Sequence, residues 1–180
     1  MTGIDAIIFE PIGSLADVSA DTASDSPSHA YDDAAPALAE LKTLGITLIA
    51  ASTLSHAALT RFLDTAGLSR FFDDVRSTES TQGDRAGALA DALQSVSIAP
   101  DRALYITDNA EGLLAARRAG VHGILMMNDP DEAMKLTAHD PAGGIVSLLE
   151  LPDFVRFVSA SCPPSRPDRP RPASSAAPRR

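Results

Sequence analysis

Four short, almost continuously apolar runs recur along this chain, and they constrain its fold more than any other feature. They are Ile4 to Phe9, Ile46 to Ala51, Ala103 to Ile106 and Gly123 to Met127. Each is apolar at both odd and even positions, the pattern of a strand buried on both faces of a sheet. Longer amphipathic segments lie between them: Ala34 to Leu44, Ser55 to Ala66, Arg85 to Gln94 and Ala110 to Ala119. Gly45, Gly67 and Gly120 stand where helices would stop. Buried strands separated by helices predict an α/β fold with a doubly wound parallel sheet.

Length and charge narrow the choices further. The 180 residues, 44% of them hydrophobic, suit one domain with its own core. That domain is expected over residues 1–158. From residue 159 the chain turns to Pro, Ser, Ala and Arg, which cannot bury enough apolar surface to offset the entropy of ordering. A disordered tail, 159–180, is the expectation. From Ala160 onward that tail carries a net +4 against −9 for the whole chain, which leaves −13 on the body. A body of that sign repels phosphate backbones, so nucleic-acid binding is not expected. The absence of a long apolar run or a basic-then-apolar start predicts no membrane association and a cytoplasmic setting. The one cysteine, Cys162, fits a reducing compartment.

Doubly wound sheets bind their ligands beyond the carboxyl ends of the strands. The residues that close the first, second and third runs with a chemical handle are Glu10, Ser52 and Asp108. Around them the chain reads IIFEPIGSLAD, ITLIAAST and ALYITDNAEGLLAARRAGVHGI. In that order these segments resemble the first, second and fourth motifs of the haloacid dehalogenase superfamily. The likeness runs over residues 4–157, and it implies a Rossmann-like core.

The resemblance also implies a chemistry: phosphoryl transfer to a nucleophilic Asp, with Mg²⁺ bound beside it. Glu10 takes the nucleophile position and Ile12 that of the usual acid/base Asp, while Gly13, Ser14 and Asp17 keep the frame. Ser52 falls where a hydroxyl would hold the transferring phosphoryl group, with Ser14 and Thr53 as further phosphate contacts. Asp108 falls on the metal-binding carboxylate, and Glu10 and Glu111 complete the implied Mg²⁺ set. The second metal acid is expected at position 112, which is Gly112; Glu111, its neighbour, is rotated by about 100° on a helix. The third motif should supply a cation. Its expected Lys is missing near Gly83, which leaves Arg85. Structural roles compete for several of these positions: Ser52, Thr53 or Ser55 as a helix cap, Asp108 as a carboxylate favoured by a helix dipole, and Arg85 as a solvated residue of a first helical turn.

Cap domains of this superfamily are inserted after the first motif or between the second and third. The stretch Val18 to Asp33 is too short for a lid with its own core, so no sizeable cap is expected. An open site would suit a macromolecular or exposed phosphate, or a partner subunit that closes it. Glu10 in place of Asp moves the attacking oxygen by about 1.5 Å, and a misplacement of about 1 Å costs roughly a hundredfold in rate. Ile12 removes an acid/base worth about 10² to 10⁴. Two readings therefore stand side by side. One is a catalytically impaired or inactive binding or regulatory module, taking a phosphorylated ligand or a protein partner. The other is a divergent Mg²⁺-dependent phosphohydrolase with Glu10 as nucleophile. His29, His56, His122 and His139 show no metal-ligand spacing and add no third.

Overall fold

In the computed structural model, residues 3–16 and 29–161 are described. They form a sheet of six parallel strands in the order β3-β2-β1-β4-β5-β6. The strands are β1 (Ala6–Phe9), β2 (Thr47–Ser52), β3 (Asp74–Ser77), β4 (Ala103–Thr107), β5 (His122–Met126) and β6 (Gly143–Ile145). The helices are α1 (Pro11–Ser14), α2 (Ala34–Thr43), α3 (His56–Thr65), α4 (Arg85–Ser95), α5 (Ala110–Ala119), α6 (Pro130–Leu136) and α7 (Glu150–Ser161). The four expected strands are β1, β2, β4 and β5, and the expected helices are α2 to α5 with ends within one residue or so. Gly45, Gly67 and Gly120 each follow a helix end as expected.

The doubly wound character shows in how successive residues of one strand part to opposite faces. Ile7 and Phe9 join Leu48, Ala50, Leu104 and Ile106 in a core covered by α2, α3 and α7. Ala6 and Ile8 join Ile49, Ala51 and Tyr105 in a second core covered by α4 and α5. Both faces of β1 are thus apolar, the physical reason its sequence is a continuous run rather than an alternation.

Two strands went unexpected. DVRS, now β3, carries charges and is only half-buried at the sheet edge, so it lacks the apolar signature. The three residues of β6, GGI, are too short and glycine-rich to show a strand pattern; they pair with β5, Ile124 opposite Gly143 and Met126 opposite Ile145. Met126 is buried there as expected, and Met127 is half-buried against a satellite core. The final helix α7 continues to Ser161, past the expected start of the tail at residue 159. The rest of that tail, with Cys162, lies outside the described residues, as does Asp17. No cap domain interrupts the described core, and no helix among the described residues is long and apolar enough to cross a membrane.

Candidate functional site

The register of the sheet assembles the site. Phe9 lies opposite Ala50 on one side and Ile106 on the other, so the next residue along β1, Glu10, emerges beside the ends of both β2 and β4. Its backbone N–H still donates to the Ile106 carbonyl over 3.0 Å. Glu10 has the parity of Ile8, as Thr107 has that of Tyr105, so their side chains share the face covered by α4 and α5. The start of α4 delivers Arg85 to that face, and the start of α5 delivers Asn109 and Gly112.

Glu10 is buried, at 6% exposure, and both of its carboxylate oxygens have partners. Oε1 pairs with the Arg85 guanidinium in a charge-assisted hydrogen bond. Oε2 accepts from the Thr107 hydroxyl at 2.6 Å, from Asn109 Nδ2 at 3.1 Å and from the Tyr105 hydroxyl at 3.2 Å. A buried carboxylate needs such partners, because desolvation without them costs several kcal/mol (roughly). Burial first, and then the negative charge of Glu10, push the Tyr105 hydroxyl well above the usual phenol range, while Arg85 opposes the shift. Tyr105 therefore stays a neutral donor. The far side of the Arg85 guanidinium faces Glu111 at 3.6 Å, but Glu111 is largely in solvent and that pair contributes little.

Asn109 ties the cluster to the helix that follows. Its side-chain oxygen caps α5 by accepting from Gly112 N at 2.8 Å, while its Nδ2 donates both to Glu10 and, at 3.0 Å, to Asp108 Oδ1. One amide thus fixes the two carboxylates and the helix start together. Asp108 in turn packs on the turn after β1: a Cβ at Gly13 would lie 2.1 Å from Asp108 Oδ2, and Gly13 adopts φ +92°. Only glycine satisfies both demands. Asn128 Nδ2 holds the Gly13 carbonyl at 2.7 Å.

The remaining expected residues take up clear positions. Ser14 is buried, and its hydroxyl donates to the Glu10 carbonyl at 2.6 Å. Ser52 is buried and accepts from Leu54 N at 3.1 Å, whereas Thr53 is exposed. The cap of α3 is neither of these but Ser55, which accepts from Ala58 N at 3.2 Å. Glu10, Ser52, Thr53, Arg85 and Tyr105 border a cavity of about 10 Å³. That is room for roughly one water. A groove of about 280 Å³ lined by Arg117, His122 and Asp140 sits at the start of β5, at the opposite end of the sheet.

The structure thus brings Glu10, Arg85 and Asp108 together and leaves Glu111 at the rim. Among the described residues no three His, Cys, Asp or Glu side chains gather in a way that could hold a metal ion. Glu10 Oε2 as it stands has no lone pair left for a Mg²⁺ ion, because three donors already bind it. Sequence reasoning did not pick out Tyr105, Thr107 and Asn109. Asn109 alone carried a signal, the preference of Asn for the position before a helix; Tyr105 and Thr107 read as ordinary strand residues.

A doubly wound parallel sheet with a carboxylate at the end of its central strand and another at the end of the next defines a Rossmann-like α/β class of protein. The haloacid dehalogenase-like hydrolase model matches residues 13–126, and the chain belongs to that family. It is 30% identical over 129 residues to a phosphoglycolate phosphatase from Caulobacter vibrioides, covering 70% of this chain and 54% of that one. It is 26% identical over 98 residues to the tyrosine-protein kinase PtkA of Mycobacterium tuberculosis, covering 53% of this chain and 34% of the kinase. The chain therefore spans about a third to half the length of these relatives. Its fold matches that of a haloacid dehalogenase-like hydrolase from Streptococcus pneumoniae with a TM-score of 0.72 at 17% identity, over 86% of this chain and 99% of the other.

Proposed function

We propose that this chain is a haloacid dehalogenase-like domain that binds without hydrolysing, a regulatory module rather than a working phosphatase. The observation that carries this reading is the state of the Glu10 carboxylate. An in-line nucleophile needs a free oxygen facing phosphorus. Both Glu10 oxygens are occupied by Arg85, Tyr105, Thr107 and Asn109, beside a cavity of about 10 Å³. Ile12 supplies no proton to a leaving group, and an enzyme without that acid loses about 10² to 10⁴ in rate. Such a module would take a protein partner or a phosphorylated small molecule in the cytoplasm, and its net charge of −9 disfavours nucleic acid.

A second reading is favoured by one observation, the 30% identity to the Caulobacter phosphoglycolate phosphatase. Under it, Asp108 would be the metal carboxylate, Glu10 would swing free of Arg85 to attack, and a water or a substrate group would stand in for the missing acid. Similarity to a kinase as well as a phosphatase shows why family membership alone does not choose the reaction.

Assay of the purified chain against a panel of phosphomonoesters with MgCl₂ separates the readings, with Asp108→Asn and Glu10→Gln alongside. No turnover above the two variants supports the binding module. Turnover that both substitutions abolish ends it and establishes the phosphohydrolase.

A further inference from the structure

The geometry points to a site closed against divalent cations by the protein's own donors, with Thr107 and Gly112 acting as a coupled pair that keeps it closed. The inference rests on the binding-module reading only for which site is meant. A carboxylate oxygen offers two lone-pair positions; Glu10 Oε2 already receives three donors, Tyr105, Thr107 and Asn109, while Oε1 receives Arg85. An ion approaching Oε2 must therefore displace at least one buried donor. Displacing it leaves a polar group unsatisfied, and that offsets what the ion would gain. Asp108 Oδ1 is bound by the same Asn109 amide, so one neutral group spans both carboxylates. Arg85 already brings positive charge to Oε1 and to the rim at Glu111.

Thr107 and Gly112 explain why a third acid does not complete the set. A Cβ at Gly112 would lie 2.1 Å from Thr107 Oγ1, 2.7 Å from its Cβ and 2.8 Å from its Cγ2. Those atoms belong to a fully buried, β-branched side chain that cannot swing aside. With Thr107 in place, any side chain at position 112 must force Thr107 or the helix to shift. The converse also holds. Without the Thr107 side chain, a carboxylate at position 112 would enter the space of a hydroxyl that now sits 2.6 Å from Glu10 Oε2. The donor that saturates Glu10 and the residue that excludes a further acid are thus one side chain.

The test measures metal binding and not turnover. Thermal unfolding of the wild-type chain is followed in EDTA, in MgCl₂ and in MnCl₂, with Mn²⁺-induced water-proton relaxation as a direct binding readout. The wild type is expected to show the same Tm in all three and no Mn²⁺ signal above that of Asp108→Asn. The double variant Thr107→Gly with Gly112→Asp is expected to gain a Mg²⁺-dependent rise in Tm. An ion at about a hundredfold its Kd gives about 5–10 °C in a domain of this size. A wild-type rise of that order, removed by Asp108→Asn, would overturn the inference. So would a folded double variant that ignores both metals; should that variant fail to fold, the wild-type arm decides alone. Metal binding without turnover would end this inference and leave the binding-module reading intact, whereas turnover that persists in EDTA would do the reverse.

Discussion

A methyl group at Gly112 would stand 2.1 Å from Thr107 Oγ1, the same hydroxyl that donates to Glu10 Oε2 over 2.6 Å. Helix packing, the helix cap and the buried carboxylate are therefore linked through one threonine.

Gly112→Ala should destabilise the fold although alanine is the better helix former by about 1 kcal/mol. Overpacking against Thr107 costs about 1–3 kcal/mol and also disturbs a hydrogen bond to a charged group worth about 1.5–3 kcal/mol. A net loss of about 1–3 kcal/mol in urea unfolding is expected. Adding Thr107→Gly should remove the steric part, so that the alanine is no longer harmful in that background. An alanine as stable as the parent would show that Thr107 yields freely.

Glu10 and Arg85 should be coupled. Removing one partner of a buried pair costs about 3–5 kcal/mol, but Arg85 keeps 21% of its side chain exposed, which lowers the expectation to about 2 kcal/mol. Arg85→Met, Glu10→Gln and the double variant form a cycle whose coupling energy denaturant unfolding can read. The double variant should recover part of what each single change loses. Strict additivity would mean the pair contributes nothing beyond its separate contacts.

Stability should fall in alkali. The Tyr105 hydroxyl is held well above the usual phenol range by burial and by Glu10. Its contribution is fully present below about pH 10, where tyrosine titrates in the unfolded chain, and is lost as pH rises from there towards the folded value. The slope reaches at most about 1.4 kcal/mol per pH unit. Tyr105→Phe should flatten this limb of a Tm-against-pH curve; a curve identical to the wild type's would assign the alkaline loss to other groups.

Gly13→Ala should be among the most damaging small changes. It places a side chain at φ +92° and drives its Cβ to within 2.1–2.5 Å of the Asp108 carboxyl atoms. Left-handed strain of about 1–3 kcal/mol adds to the displacement of Asp108. A loss of about 3 kcal/mol or more is expected in denaturant unfolding. The Asn109 amide should also lose protection in hydrogen exchange, since its side chain spans Asp108 and Glu10.

What the amino-acid sequence determined by itself is the wiring of the fold. Apolar runs such as Ile46 to Ala51 are readable because a strand buried on both faces has no alternation to hide, and glycines such as Gly120 end helices by local backbone conformation. The strands that carried no such signal, DVRS and the three residues of β6, lie at the two sheet edges, where burial is incomplete and pairing with β2 or β5 decides. The positions of Glu10, Ser52 and Asp108 at strand ends were legible for the same local reason. Only the tertiary structure decided what Glu10 does there. Its partners come from residues 75, 95, 97 and 99 positions away, brought to one face by parallel register and by the starts of α4 and α5. No local pattern records that a tyrosine, a threonine, an asparagine and an arginine will converge on one carboxylate. That convergence is a property of packing, and it turns a strand-end acid into a buried one bonded at both oxygens.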